Sequence, residues 1–148
     1  MKIERFEDIK AWQEARVLVK MVYAVVDSDR RFGSDYKFRE QIQGAAVSTM
    51  SNIAEGFSRR TTKEFIQFLF IAKGSVAEVQ SQLYTALDQG YINEEKFDEL
   101  YSKSDEVARL LSGFIQYLLN KNKHSISSRN SSNSNNSRNW GGVGVKEG

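Results

Sequence analysis

Few side chains in this 148-residue sequence are spaced for chemistry, and most of them fall in one short stretch. Ser48, Asn52 and Glu55 recur at 4-3 spacing, which on a helix sets a hydroxyl, an amide and a carboxylate on one face. Such a set makes either a polar binding surface or a satisfied network that fixes the register of neighbouring helices. Arg16, a polar interruption in an earlier apolar pattern, is the natural partner for Glu55. Arg59, Arg60 and Lys63 follow directly, and Arg30, Arg31 and Arg39 precede. As a nucleic-acid surface these six would contact phosphates, which gives affinity without sequence information. Their alternative is a solvated turn, or ion pairs with an acidic region of a neighbouring subunit. Glu94-Glu95 and Asp98-Glu99 are paired carboxylates, but they follow Asn93, a good N-cap, and suit the positive end of a helix dipole.

The missing residue types are equally informative. There is no cysteine, so no thiolate ligand, disulfide or cysteine nucleophile, and His124 is the sole histidine. No glycine-rich phosphate loop, nucleophile–base pair or metal-ligand spacing occurs. The expectation is a non-enzymatic chain with no catalytic residue, metal, cofactor or small-molecule substrate. The N-terminus mixes both charge signs and lacks the apolar stretch of a signal peptide. No window approaches about 18 uninterrupted apolar residues, so no spanning helix and a cytoplasmic location are expected.

Charge is balanced but unevenly placed. The net +2 lies wholly beyond Lys123, where Arg129, Arg138 and Lys146 face Glu147 alone. Within the balanced body, residues 30–63 carry seven basic and three acidic groups, and residues 78–106 carry eight acidic and two basic. A dipolar body of that kind binds a polyanion on one face or pairs with its own copies.

The elements that must position these residues are helices. Proline normally contributes about 5% of residues; here there is none. A first helix is predicted from Asp8 to Val26, with Ile9, Trp12, Val19, Tyr23 and Val26 at 3–4 spacing, Arg16 in the polar slot, and Ala15, Leu18, Val22 and Val25 widening the apolar face. The second runs from Asp35 to Gly56 on Phe38, Ile42, Ala45, Thr49 and Ile53, through a centre of small residues that lets a neighbour approach closely. The third begins at the Thr61-x-x-Glu64 capping box and carries Phe65, Leu69, Ala72, Val76, Val79, Leu83 and Ala86, three heptads of seam, before Gly90 ends it. A second line on it, Phe70, Ala77 and Tyr84 with Ile66 and Leu87 beside it, either completes a broad core or forms an oligomer interface. The fourth starts at Asn93 and follows Leu100, Ser104, Val107, Leu111, Phe114 and Leu118 to about Asn120. Four such segments with short connectors predict an all-α, antiparallel up-down four-helix bundle over residues 1–123. Residues 124–148, rich in Ser, Asn and Gly, read as a disordered tail, either solubilising or offering Arg129, Arg138 and Trp140 to single-stranded RNA.

The run from Gln41 to Arg60, containing Ser51-Asn-Ile-Ala-Glu-Gly-Phe57, resembles a bacterial family, and so do Phe65–Ser75, Glu78, Gln82-Leu83, Gly90-Tyr91 and the opening Phe6…Ile9…Trp12-Gln-x-Ala15. This is the four-helix-bundle family that includes proteins encoded in intervening sequences of 23S ribosomal RNA genes. It is distantly similar to accessory proteins of diversity-generating retroelements. The resemblance covers roughly residues 5–119. It implies a bundle that assembles with its own copies into a ring, typically a pentamer, and its distant relatives imply RNA or a nucleoprotein as a further partner. It also marks Arg16, Ser48, Asn52, Glu55 and Gly56 as signature or structural positions. Two departures stand out. Gln43-Gly44 replaces the family's usual basic pair, which weakens the case for a polyanion, and Met50 replaces a proline. The rival expectation is a purely structural or protein-interaction assembly without nucleic acid.

Overall fold

The computed structural model describes residues 2–131. A single 3-10 turn, Phe6–Asp8, precedes five α-helices: α1 (Lys10–Ser28), α2 (Arg30–Ser34), α3 (Tyr36–Phe57), α4 (Thr62–Asp88) and α5 (Glu94–Ser131). Among the described residues there is no strand. The four long helices form the expected antiparallel bundle. Its packing is cyclic: α1 lies between α3 and α5, and α4 lies opposite, also between α3 and α5.

Local chemistry sets the helix ends. Thr61 Oγ1 accepts from the Glu64 amide at 3.1 Å and Asn93 Oδ1 from that of Lys96 at 2.8 Å, so both predicted N-caps form. Gly90 has φ +71°, and the Gly90 and Tyr91 amides donate to the Leu87 and Ala86 carbonyls. That pair of bonds is a Schellman stop, and its left-handed residue favours glycine. The expected connection after α1 is itself partly helical. Asp29 accepts from the Arg31 and Phe32 amides and starts the five-residue α2, which drives Phe32 fully into the core.

The predicted seams of α3 and α4 are buried: Ile42, Ala45, Thr49 and Ile53 on one, Leu69 through Ala86 on the other. On α1 the widening line Ala15, Leu18, Val22 and Val25 is buried, joined by Ala11 and, from the first predicted line, by Val26 and by Ile9 just before the helix. Trp12 and Val19 flank it, and Tyr23 is exposed. On α5, Ile115 takes the buried place expected of Phe114, which is half-buried beside it. Among the described residues Leu118 is the last buried one, in line with the pattern, yet the helix continues to Ser131, eight residues into the predicted tail. Residues 132–148, with Arg138 and Trp140, lie outside the described residues.

Candidate functional site

The signature polar residues divide into two groups. Ser48 and Asn52 meet Ser75 of α4. Ser48 Oγ lies 3.0 Å from Ser75 Oγ, and Asn52 Nδ2 donates to Ser48 Oγ at 2.9 Å and to the Ser48 carbonyl at 2.8 Å. Ser75 Oγ also reaches the Ile71 carbonyl at 3.3 Å. Every heavy atom in this chain of bonds has a partner on α3 or α4, which is how a polar network fixes the sliding of one helix along another. Ser75 carries no signal in the third helix's apolar period, yet it is buried and completes the set.

Glu55 stands apart from that network. Its Oε1 accepts from Arg59 Nη2 at 2.8 Å, one turn on, and both side chains are exposed. The expected Arg16–Glu55 pair does not form. Because α1 turns its Ala15–Leu18 line inward, Arg16 faces outward and lies over the Trp12 ring, 5.9 Å from its centroid. Gly56, next to Glu55, is buried where α3 meets α4. A Cβ built there lies 2.6 Å from Phe68 Cβ and 2.8 Å from Phe65 Cδ2. The glycine is a close-approach residue.

The six basic residues do not form one surface. α3 has 22 residues, so at a rise of about 1.5 Å per residue its ends are roughly 33 Å apart. Arg30, Arg31 and Arg39 lie at its start, beside the end of α4; Arg59, Arg60 and Lys63 lie at its far end. Several are already engaged. Arg31 Nη2 donates to the Gly90 carbonyl at 2.7 Å and its guanidinium lies over Tyr91, while Arg39 Nη1 donates to the Gly33 carbonyl at 2.9 Å over Tyr36. Arg59 covers Phe68 as well as pairing with Glu55. Arg30, Arg60 and Lys63 form no ion pair among the described residues. The sequence-level charge segregation also changes meaning, since the first basic group shares its end of the bundle with Gly90, Tyr91 and the acidic start of α5. Tyr91 binds there too: its hydroxyl donates to Asp35 Oδ2 at 2.8 Å, and that bond, with burial behind it, raises the phenol's pKa.

The partly buried charges lie elsewhere. Lys103 Nζ bridges Glu14 and Glu106 at 2.8 Å each, joining α5 to α1. The bonds to Glu106 and Glu14 raise the lysine pKa, and those from Lys103 and Lys10 lower that of Glu14. Among the described residues no three His, Cys, Asp or Glu side chains gather as a metal site would need. Among them, too, no helix is long and apolar enough to cross a membrane.

The outer face of α4 carries a second periodic line. Phe70, Gly74, Ala77, Ser81 and Tyr84 follow 4-3-4-3 spacing, all are exposed, and none is charged. Tyr84 continues it toward α5 by packing on Phe97 at 4.9 Å and Tyr101 at 6.0 Å between ring centroids. Ile66 and Leu87, beside this line in the sequence, pack into or against the core, as the broad-core alternative has it.

The described residues thus form a cyclic antiparallel four-helix bundle with small residues along α3 and a polar α3–α4 seam. Residues 7–113 match the family described as 23S rRNA-intervening sequence protein, and the chain belongs to that family. A crystal structure of a protein of unknown function from the S23 ribosomal protein family, from Bacteroides thetaiotaomicron, has a similar fold. The TM-score is 0.64 at 20% identity, over 71% of this chain and 97% of that one. No curated protein matches the sequence.

Proposed function

We propose that this chain is a non-enzymatic cytoplasmic scaffold that assembles with copies of itself through the outer face of α4. The observation that carries this reading is the uncharged line Phe70, Gly74, Ala77, Ser81 and Tyr84, exposed on a helix whose inner seam is already filled. Small residues between two aromatic ones let a second helix approach closely and gain packing at either end. The assembly proposed is a closed ring of five copies, in keeping with the family. Light scattering on the full chain then gives five times the 16.9 kDa chain mass. Ala77→Glu and Phe70→Lys return it to one chain with unchanged helical circular dichroism. A mass of 16.9 kDa for the natural sequence at micromolar concentration refutes the reading.

Nucleic acid is the second reading, favoured by Arg60 and Lys63, exposed at one end of the bundle and without an ion partner among the described residues. Assembly would repeat that pair around the ring. RNA affinity that falls steeply with salt, and less steeply in Arg60→Ala/Lys63→Ala, supports it; an unchanged slope removes it.

A further inference from the structure

A cavity of about 350 Å³ opens between the first turn of α1 and the 109–117 stretch of α5, with Ile3 of the N-terminal segment against it. None of its lining residues lies on α3 or α4. Its walls are Ile3, Ile9, Leu110, Phe114 and Tyr117, and its charged lining is confined to Lys10 and Arg109. Both cations are exposed, which sets them at the opening. Lys10 is held by Glu14 at 3.0 Å, whereas Arg109 forms no ion pair or hydrogen bond among the described residues. Gly113 forms part of the wall, and a Cβ built on it meets nothing within 4 Å. The helix backbone is therefore open to the cavity at that point.

This combination selects a ligand by chemistry. The volume lies at the lower end of the range for small-molecule pockets, about 300–1,000 Å³. The apolar wall asks for a hydrocarbon body, and the unpaired guanidinium asks for one anionic head that can accept two parallel hydrogen bonds. We infer that the cavity binds an acyl carboxylate of roughly twelve heavy atoms, at about 30 Å³ per water-sized group, with its head on Arg109 and its chain along Leu110, Gly113 and Phe114. The site is independent of assembly through α4, because none of its residues lies on that helix.

Titration of sodium decanoate into the full chain, followed by calorimetry, tests this. Saturable binding of one decanoate per chain is expected, with decanol weaker and decyltrimethylammonium weaker still. Arg109→Gln, a surface change, lowers affinity about tenfold or more. Gly113→Leu fills the open space and abolishes binding while helical circular dichroism is retained. The Ile9 and Leu110 methyl resonances shift on binding, and those of residues flanking the outer α4 line do not. Absence of saturable binding overturns the inference. So does binding that survives both substitutions, or equal affinity for decanoate and decyltrimethylammonium.

Discussion

Replacing Gly56 with alanine separates two effects that one substitution usually mixes. The added Cβ would lie 2.6 Å from Phe68 Cβ, about 1 Å inside the ~3.5–4.0 Å optimum for carbon pairs. Phe68 Cβ is fixed to the α4 backbone, so no rotamer change relieves the contact. The second obstacle, Phe65, is held between Phe57 and Phe114, with centroids 6.0 and 5.5 Å away. The helices must therefore part at the end where residues 58–61 tie them together. Such overpacking costs about 1–3 kcal/mol, against which alanine recovers at most about 1 kcal/mol of helix propensity. The expected net loss is about 1–2 kcal/mol. Gly44→Ala is the matched control, because its Cβ meets nothing within 4 Å and the same change gains about 0.5–1 kcal/mol. Urea unfolding followed at 222 nm across a protein dilution series should place the two midpoints about 1 M apart, given slopes of roughly 1–3 kcal/mol/M. A Gly56→Ala midpoint at or above that of Gly44→Ala refutes the close-approach argument.

Three further outcomes are expected. Gly90→Ala puts a side chain at φ +71° and costs about 1–2 kcal/mol in the same unfolding assay, with Gly90→Asn costing less. Ser48→Ala removes the hydroxyl shared by Asn52 and Ser75 and costs about 1 kcal/mol without changing the scattering mass; a change in mass instead would give the network a role in assembly. Lys103→Met cuts both 2.8 Å bridges and costs about 1–2 kcal/mol, between the values for surface and buried pairs. Glu14, with its pKa lowered, contributes above the unfolded carboxylate value of about 4.3, and that contribution fades as pH falls through the folded value. Lys103, with its pKa raised, contributes below the unfolded value of about 10.4 and loses it as pH rises through the folded one. The difference between natural and variant chains should therefore stay level from about pH 5 to 10 and shrink on either side.

The four long helices and most of their buried residues were legible because heptad spacing is a direct print of which side faces the core. Caps at Thr61 and Asn93 and the stop at Gly90 were legible for the same local reason, since each needs a particular side chain or a positive φ. The apolar arc of α1 is wide, and periodicity alone does not say which part of a wide arc is its centre: Ala15, Leu18, Val22 and Val25 are buried, whereas Trp12 and Val19 flank them. Small alanines at 11 and 15 lie at the centre of the arc, and the larger Trp12 and Tyr23 lie at its edge. With the arc centred on Ala15 and Leu18, Arg16 faces outward instead of toward Glu55. Ser75 and the α1–α5 cavity were not legible, since both depend on where two helices meet in space. Nor was the separation of the six basic residues, which follows from the length of α3 and not from their grouping along the chain. The resemblance supplied the family; it did not supply the Ser48–Ser75 contact.

Helix α5 passes through two environments without a break. Up to Leu118 it contributes to the core; from Lys123 to Ser131 every residue is exposed. Beyond Leu118 the helix extends about 20 Å, a length at which an isolated helix in water is marginal. Fraying there leaves the core intact, so amide protons past residue 120 should exchange by local opening while those near Val107 and Leu111 wait for global unfolding. A thermal scan would then lose a minor share of ellipticity gradually before its cooperative step, and that early slope reports on α5 alone.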